Sequence, residues 1–344
     1  MIDAIRPERG RIGSDRRGQL LLVGAVTLAI IILGLSVVVN TVLFTENVGT
    51  GEARVEAPAI EEFSFEAQKS ARSLMLRLNA ADRTDTLPEV NTRISDQITT
   101  YSDAAARSYA SSGTVFVDIA YNESLDEGTR IVQGTDRKFT YPDGGSNVSD
   151  WDPVNQGLAS RNPADLGWMI LNVDLRNTSG DQATLQITSE AGENLEYQFN
   201  RSGGGNGPEL RVDVSGSAVS DPDPVACGSV SGRVLLDLRT GEAFSSDCTF
   251  DGINEIDGPY ERIRITNGDN LAGQYDIIVN ENDSSSEVIG YDDGSGPKAW
   301  DRDCTSGDRG PCISPVVWQG QIDLTYRSTD VNFATVRNIT VYDP

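Results

Sequence analysis

The sequence predicts an α+β protein: a single N-terminal transmembrane helix, a short helical region, then an antiparallel, β-rich, sandwich-like head. Three observations carry this prediction. Residues 18–45 hold no charged side chain, although the 344-residue chain has 52 Asp+Glu against 28 Lys+Arg and a formal charge of −24. Apolar residues then recur every three or four positions to about residue 111, the period of an amphipathic helix. From Thr114 the period falls to two, with turns rich in Gly, Asp, Asn and Ser between the runs. The chain therefore divides into a basic leader (1–18), a membrane helix (19–45), a helical stalk (46–112) and a β-rich domain (113–344).

The leader carries Arg6, Arg9, Arg11, Arg16 and Arg17 against Asp3, Glu8 and Asp15. As a helix the 25 residues Leu20–Phe44 would extend roughly 37 Å at 1.5 Å per residue, enough for a hydrocarbon core of ~30 Å. Its polar members, Thr27, Ser36, Asn40 and Thr41, can bond within the helix or to neighbours. The positive-inside rule keeps the arginine side cytoplasmic and makes residues 45–344 extracellular. Membrane lipid is thus the first expected partner.

Three fates of this run are distinguishable. A cleaved secretory signal has an apolar region of roughly 7–15 residues and a small-x-small site; this run is longer, and Gly34-Leu-Ser36 is a poor site. Arg16-Arg17 suggests a twin-arginine signal, but Gly18 and Gln19 separate the pair from the apolar residues. The stretch "RGQLLLVGAV", with its exit "NTVLFTEN" at Asn40–Asn47, resembles type IV prepilin signals and the membrane-anchored, pilin-like surface proteins of haloarchaea. That resemblance covers residues 14–80. It implies cleavage on the cytoplasmic side after Gly18, with Gln19 as the new N-terminus and the apolar helix kept for lateral packing. The Glu common at the fifth mature position of bacterial pilins is Val23 here. Packing would then rest on apolar and small residues such as Ala25 and Ala29. An uncleaved anchor of the same orientation is the alternative.

Beyond the membrane, Gly49 and Gly51 could hinge a stalk of two helices from the membrane helix. Ile60, Phe63, Ala67, Ala71, Leu74 and Leu78 mark one over Pro58–Ala80, and Val90, Ile94, Ile98, Tyr101 and Ala105 mark another over Pro88–Ser111. Alternation then predicts strands at Thr114–Asn122, Gly167–Asn177, Ala183–Ser189, Glu209–Ser215, Gly232–Leu238, Glu261–Asn267, Tyr275–Asn280, Val316–Ser328 and Phe333–Asp343. Asp143–Gly167 reads as a long loop or a boundary, and "SGGGNG" (202–207) as a turn, since it lacks the Lys-Ser/Thr of a phosphate loop.

Composition narrows the function. Residues beyond 44 carry essentially all the negative charge, only Lys69, Lys138 and Lys298 are lysines, and Asp outnumbers Glu. Such a surface is like that of proteins from salt-loving archaea, where salt screens the self-repulsion. With no basic face, nucleic acid is excluded as a partner. The cysteines Cys227, Cys248, Cys304 and Cys312 form an even set in an exported chain. Nearness in sequence suggests the pairs 227–248 and 304–312, although four cysteines allow three pairings. Six sequons (Asn122, Asn147, Asn177, Asn200, Asn282 and Asn338) all follow the apolar run, as expected of an exported glycoprotein. The absence of histidine removes the commonest general base, so no enzyme, cofactor or catalytic residue is expected. Asp251–Glu261 and Asp292–Asp303 are oxygen-rich loops but lack EF-hand spacing, and no metal ligand is assigned. The expected role is therefore a pilin-like subunit or accessory component at the cell surface, with other pilin-like subunits as expected partners. A monomeric anchored binding module is the rival, and a surface hydrolase a more distant one.

Overall fold

The computed structural model describes residues 52–81, 86–143, 146–155, 164–204, 207–217, 219, 223–244, 246–280 and 311–342. The leader, Gly18, Gln19 and the expected membrane helix lie outside them. Among the described residues no helix is long and apolar enough to cross a membrane. Two units divide the chain, Met1–Phe63 with Thr329–Val331, and Ser64–Ser328 with Asn332–Pro344; the second carries both sheets.

Helix α1 spans Glu52–Ala81 and α2 spans Leu87–Ser112. Ala67, Ala71 and Met75 of α1, and Val90, Ile94 and Ile98 of α2, are buried at spacings of four, so each helix hides one stripe. The start of α2 is fixed by Thr86-Leu-Pro-Glu89. The Glu89 carboxylate accepts the Thr86 N–H at 2.7 Å, and Pro88 occupies the first turn, where a missing N–H costs nothing.

Fifteen strands follow among the described residues: β1 Phe116–Lys138, β2 Tyr141–Asp143, β3 Ser146–Val148, β4 Trp151–Asn155, β5 Leu166–Asp174, β6 Ala183–Ser189, β7 Asn194–Gly204, β8 Gly207–Gly216, β9 Val225–Gly228, β10 Arg233–Asp237, β11 Glu242–Ala243, β12 Tyr260–Thr266, β13 Ala272–Val279, β14 Cys312–Arg327 and β15 Asn332–Thr340. A seven-stranded sheet runs β11-β10-β5-β13-β1-β14-β15, and a six-stranded sheet runs β4-β12-β6-β7-β8-β9; β2 and β3 form a hairpin. All named pairings are antiparallel. Buried alternate residues of both sheets, such as Met169, Leu171, Ile187, Phe199 and Ile277, form one core. A void of about 10 Å³ between the sheets is lined by Leu171, Leu185, Phe199 and Ile277, too apolar to hold water. The head is thus a sandwich, as its alternation predicts.

Three expectations are corrected. The first strand does not end at Asn122. It runs to Lys138 through "ESLDEGTR", with irregular register at Tyr121/Glu123, Ser124/Asp126 and Asp126/Glu127. Polar residues there hide the strand from a period-two reading, while β14 supplies the ladder that holds it. Asp143–Gly167 is not simply loop: β4 pairs with β12, and Trp151 is buried with its Nε1–H donating to the Phe139 carbonyl at 2.9 Å. In β7, Leu195, Tyr197 and Phe199 alternate inward in a strand absent from the expected set.

The stretch expected as a stalk is, from Ser64 on, part of the same unit as the sheets. The end of α1 lies on the outer face of the seven-stranded sheet. Arg130, buried on β1, donates Nη1–H bonds to the Asn79 and Ala80 carbonyls at 3.3 and 2.7 Å, capping the last turn of α1. The same guanidinium pairs with Asp276 of β13, whose Oδ1 also accepts the Trp168 indole N–H at 3.2 Å. Asn79 is 2% exposed; its carboxamide accepts the Val317 N–H at 3.1 Å and donates to the Val317 carbonyl at 2.9 Å. It bonds Val317 just beyond the end of the β14–β15 ladder, whose last pair is Gln319 with Thr340. The chain's end is held to the same helix, Arg72 donating to the Val341 carbonyl at 3.0 Å and Asn79 to the Tyr342 hydroxyl at 2.9 Å.

Candidate functional site

The first part of β1, the second half of β14, and β15 form a three-stranded sheet with two unlike faces. Val117, Ile119, Leu324 and Tyr326 are buried on one face, where Tyr109 of α2 meets Tyr326 edge-on at 6.3 Å. The other face is open: Phe116 and Val336 are each 53% exposed, with Asp118, Asp323 and Ala334 beside them. Among the described residues no strand pairs with β1 before Thr129 on its β13 side, and α2 occupies that margin instead. Ser102 Oγ accepts the Ile119 N–H at 2.8 Å and donates to Asp118 at 3.0 Å. Further along, Tyr121 O–H donates to Asn91 at 2.6 Å and Asn91 donates to Ser124 at 3.2 Å.

Sequence spacing could not bring the sequons together, but the register does so for two of them. Asn122 on β1 donates to Gln321 Oε1 at 2.7 Å, and Gln321 donates to Asn338 Oδ1 at 3.2 Å, a row of three carboxamides across the open face. Asn147 lies exposed on β3. Asn177 is exposed, but its amide nitrogen donates to Asp174 at 2.7 Å. Asn200 is half-buried in β7, and Asn282 lies outside the described residues.

Cys227 and Cys248 are joined by a disulfide across 21 residues, the pair expected from their nearness. Cys312 is also disulfide-bonded; Cys304, its expected partner, lies outside the described residues. Beside the first bridge is a cleft of about 230 Å³ floored by Val212 and Val214 of β8 and rimmed by Asp223, Phe250 and Asp251. Tyr197 fixes the rim by donating to the Asp251 carbonyl at 3.1 Å. The space admits water or a small polar solute over an apolar floor.

The carboxylates of Asp251–Glu261 do not converge. Asp251 borders the cleft, Glu255 sits on the 3-10 turn Ile253–Glu255, and the Asp257 N–H donates to Glu193 at 3.3 Å. Among the described residues no group of three Asp, Glu, Cys or His is placed to hold a metal. Asp292–Asp303 lies outside them. The structurally decisive residues that sequence reading missed are Arg130, Asp276 and Asn79. Asp276 left a trace, an acid set in the otherwise apolar "YDIIV" of a strand.

Residues 14–148 are similar to a protein family described as a family of unknown function (DUF7261). The matched region takes in the whole uncharged run, both helices and β1. No curated protein matches the chain.

Proposed function

We propose that the protein is a membrane-anchored cell-surface protein, a pilin-like subunit or accessory component of an archaeal type IV pilus-like system, with a structural rather than an enzymatic role. The observation that carries this reading is the uncharged stretch 18–45 directly behind Arg16-Arg17-Gly18-Gln19. In this reading Leu20–Phe44 packs in lipid against its counterparts on other pilin-like subunits, and the acidic, sequon-bearing head faces outward in strong salt. The family similarity supports treating the end of the leader, the run and the first strand together, since its match begins at residue 14. Mass spectrometry of the native N-terminus tests the reading. A terminal peptide starting at Gln19 is expected; an intact leader overturns the subunit role and leaves a plain anchor. Release of the full-length protein from membranes by a salt wash would overturn the anchor as well. The cleft beside Cys227–Cys248 favours the second reading, an anchored binding module.

A further inference from the structure

We propose that β15 is a homodimerisation strand: two copies of this chain pair antiparallel about Val336, continuing the seven-stranded sheet across a two-fold axis. The argument starts from how the sheet edges are finished. An edge strand offers unpaired N–H and C=O groups, and folded proteins shorten, break or cover such edges. Here β11 is two residues long, β9 is four residues long and follows Pro224, and β4 contains Pro153. The open margin of β1 is covered by α2 through Ser102 and Asn91. Against these, β15 is nine residues long, pairs with β14 from Asn332 to Thr340 without a register break, and contains neither Pro nor Lys. It is the last strand of its sheet among the described residues.

The strand also suits its own copy. Centred on Val336, antiparallel pairing sets Val336 against Val336 and Ala334 against Asn338 on the open face. On the opposite face it sets Phe333 against Ile339 and Thr335 against Arg337. The apolar residues meet, and the one charge of the strand avoids itself. A centre at Arg337 would oppose two guanidinium groups, and one at Thr335 would set Phe333 against Arg337. The net charge of −24 opposes association of two copies. Molar salt, with a Debye length of ~3 Å, removes most of that repulsion, and β15 itself carries no acid. A glycan on Asn338 would leave from the sheet face rather than from the edge. The pairing does not depend on the apolar run, so it stands or falls apart from the pilin reading.

Added cysteines read the register directly, because no described cysteine is free. Opposed residues of an antiparallel pair have Cα atoms about 4.5–5.5 Å apart, within the disulfide range, whereas Asn332 would lie roughly 27 Å from its own copy. In full-length protein in detergent and molar KCl, mild oxidation should convert Val336→Cys to a covalent dimer and leave Asn332→Cys monomeric. The double variant Asn332→Cys/Thr340→Cys should cross-link, and adding Val336→Lys, which brings two ammonium groups together across the axis, should abolish that product. Failure of Val336→Cys to cross-link, equal cross-linking by Asn332→Cys alone, or a product that survives Val336→Lys would each overturn the proposal. Val336 is 53% exposed, so the lysine tests the contact without disturbing the core.

Discussion

Asp174 shows how a single side chain ends a strand in this head. It is 2% exposed at the end of β5, yet ionised, because Oδ1 accepts the Arg176 N–H at 3.1 Å and its Nε–H at 3.0 Å, while Oδ2 accepts from Asn177 at 2.7 Å. Burial alone would raise its pKa, but these donors and the Arg176 charge outweigh burial and hold it below the ordinary carboxylate value. Stability from this group is therefore present above the unfolded-state pKa, near 3.9, and is lost as pH falls through the lower folded value. Asp174→Asn should be less stable than the parent at neutral pH. The gap should close as pH drops below about 4, read as urea midpoints from neutral to strongly acid solution; a gap constant with pH would contradict it. The sequence reading carries this strand on to Asn177, whereas it ends at Asp174. "DLRNTS" shows an Asp able to bond two residues onward, but nothing in the sequence marks it as buried.

At the scale of the element, α1 is docked by contacts that no periodicity reveals. Ala67 and Ala71 of its buried stripe are readable from spacing, but spacing then picks Leu74 and Leu78 where the structure buries Met75 and Asn79. Its attachment through Asn79 and Arg130 is not readable, since their partners Val317 and Asp276 are distant in sequence. Arg130 serves three structures at once: the C-terminus of α1, β1 on which it sits, and β13 through Asp276. Arg130→Ala should cost about 3–5 kcal/mol, because it strands a partly buried carboxylate and the helix-end carbonyls. Chemical denaturation in molar KCl measures this. Replacing both Arg130 and Asp276 by apolar residues of similar size should recover most of the loss, and a double variant as unstable as the single would refute the ion-pair account. The strands follow the same division. β6, with Ala183, Leu185 and Ile187 inward, was plain in the sequence, whereas the bulged middle of β1 was masked because its polar residues are tolerated on an exposed margin.

For the molecule as a whole, charge and topology set the behaviour. With a net charge of −24 on the chain, the folded protein repels itself, and screening should stabilise it most where the Debye length changes most, from about 10 Å at 0.1 M to 3 Å at 1 M salt. The thermal midpoint should climb steeply over that interval of KCl and flatten beyond it; a midpoint indifferent to KCl would exclude an electrostatic origin. Sequence alone anticipated this acidic surface and the two-sheet class, but not which strands neighbour which, because long-range register leaves no local mark. Within that arrangement β1 lies between β13 and β14, Thr129 facing Val279 on one side and Pro315 on the other. A ribosome making this chain from its first residue therefore finishes β1 long before either neighbour exists. The sequential hairpins β6-β7-β8-β9 can form as they emerge, but the seven-stranded sheet cannot close around β1 until β13 and β14 have been made.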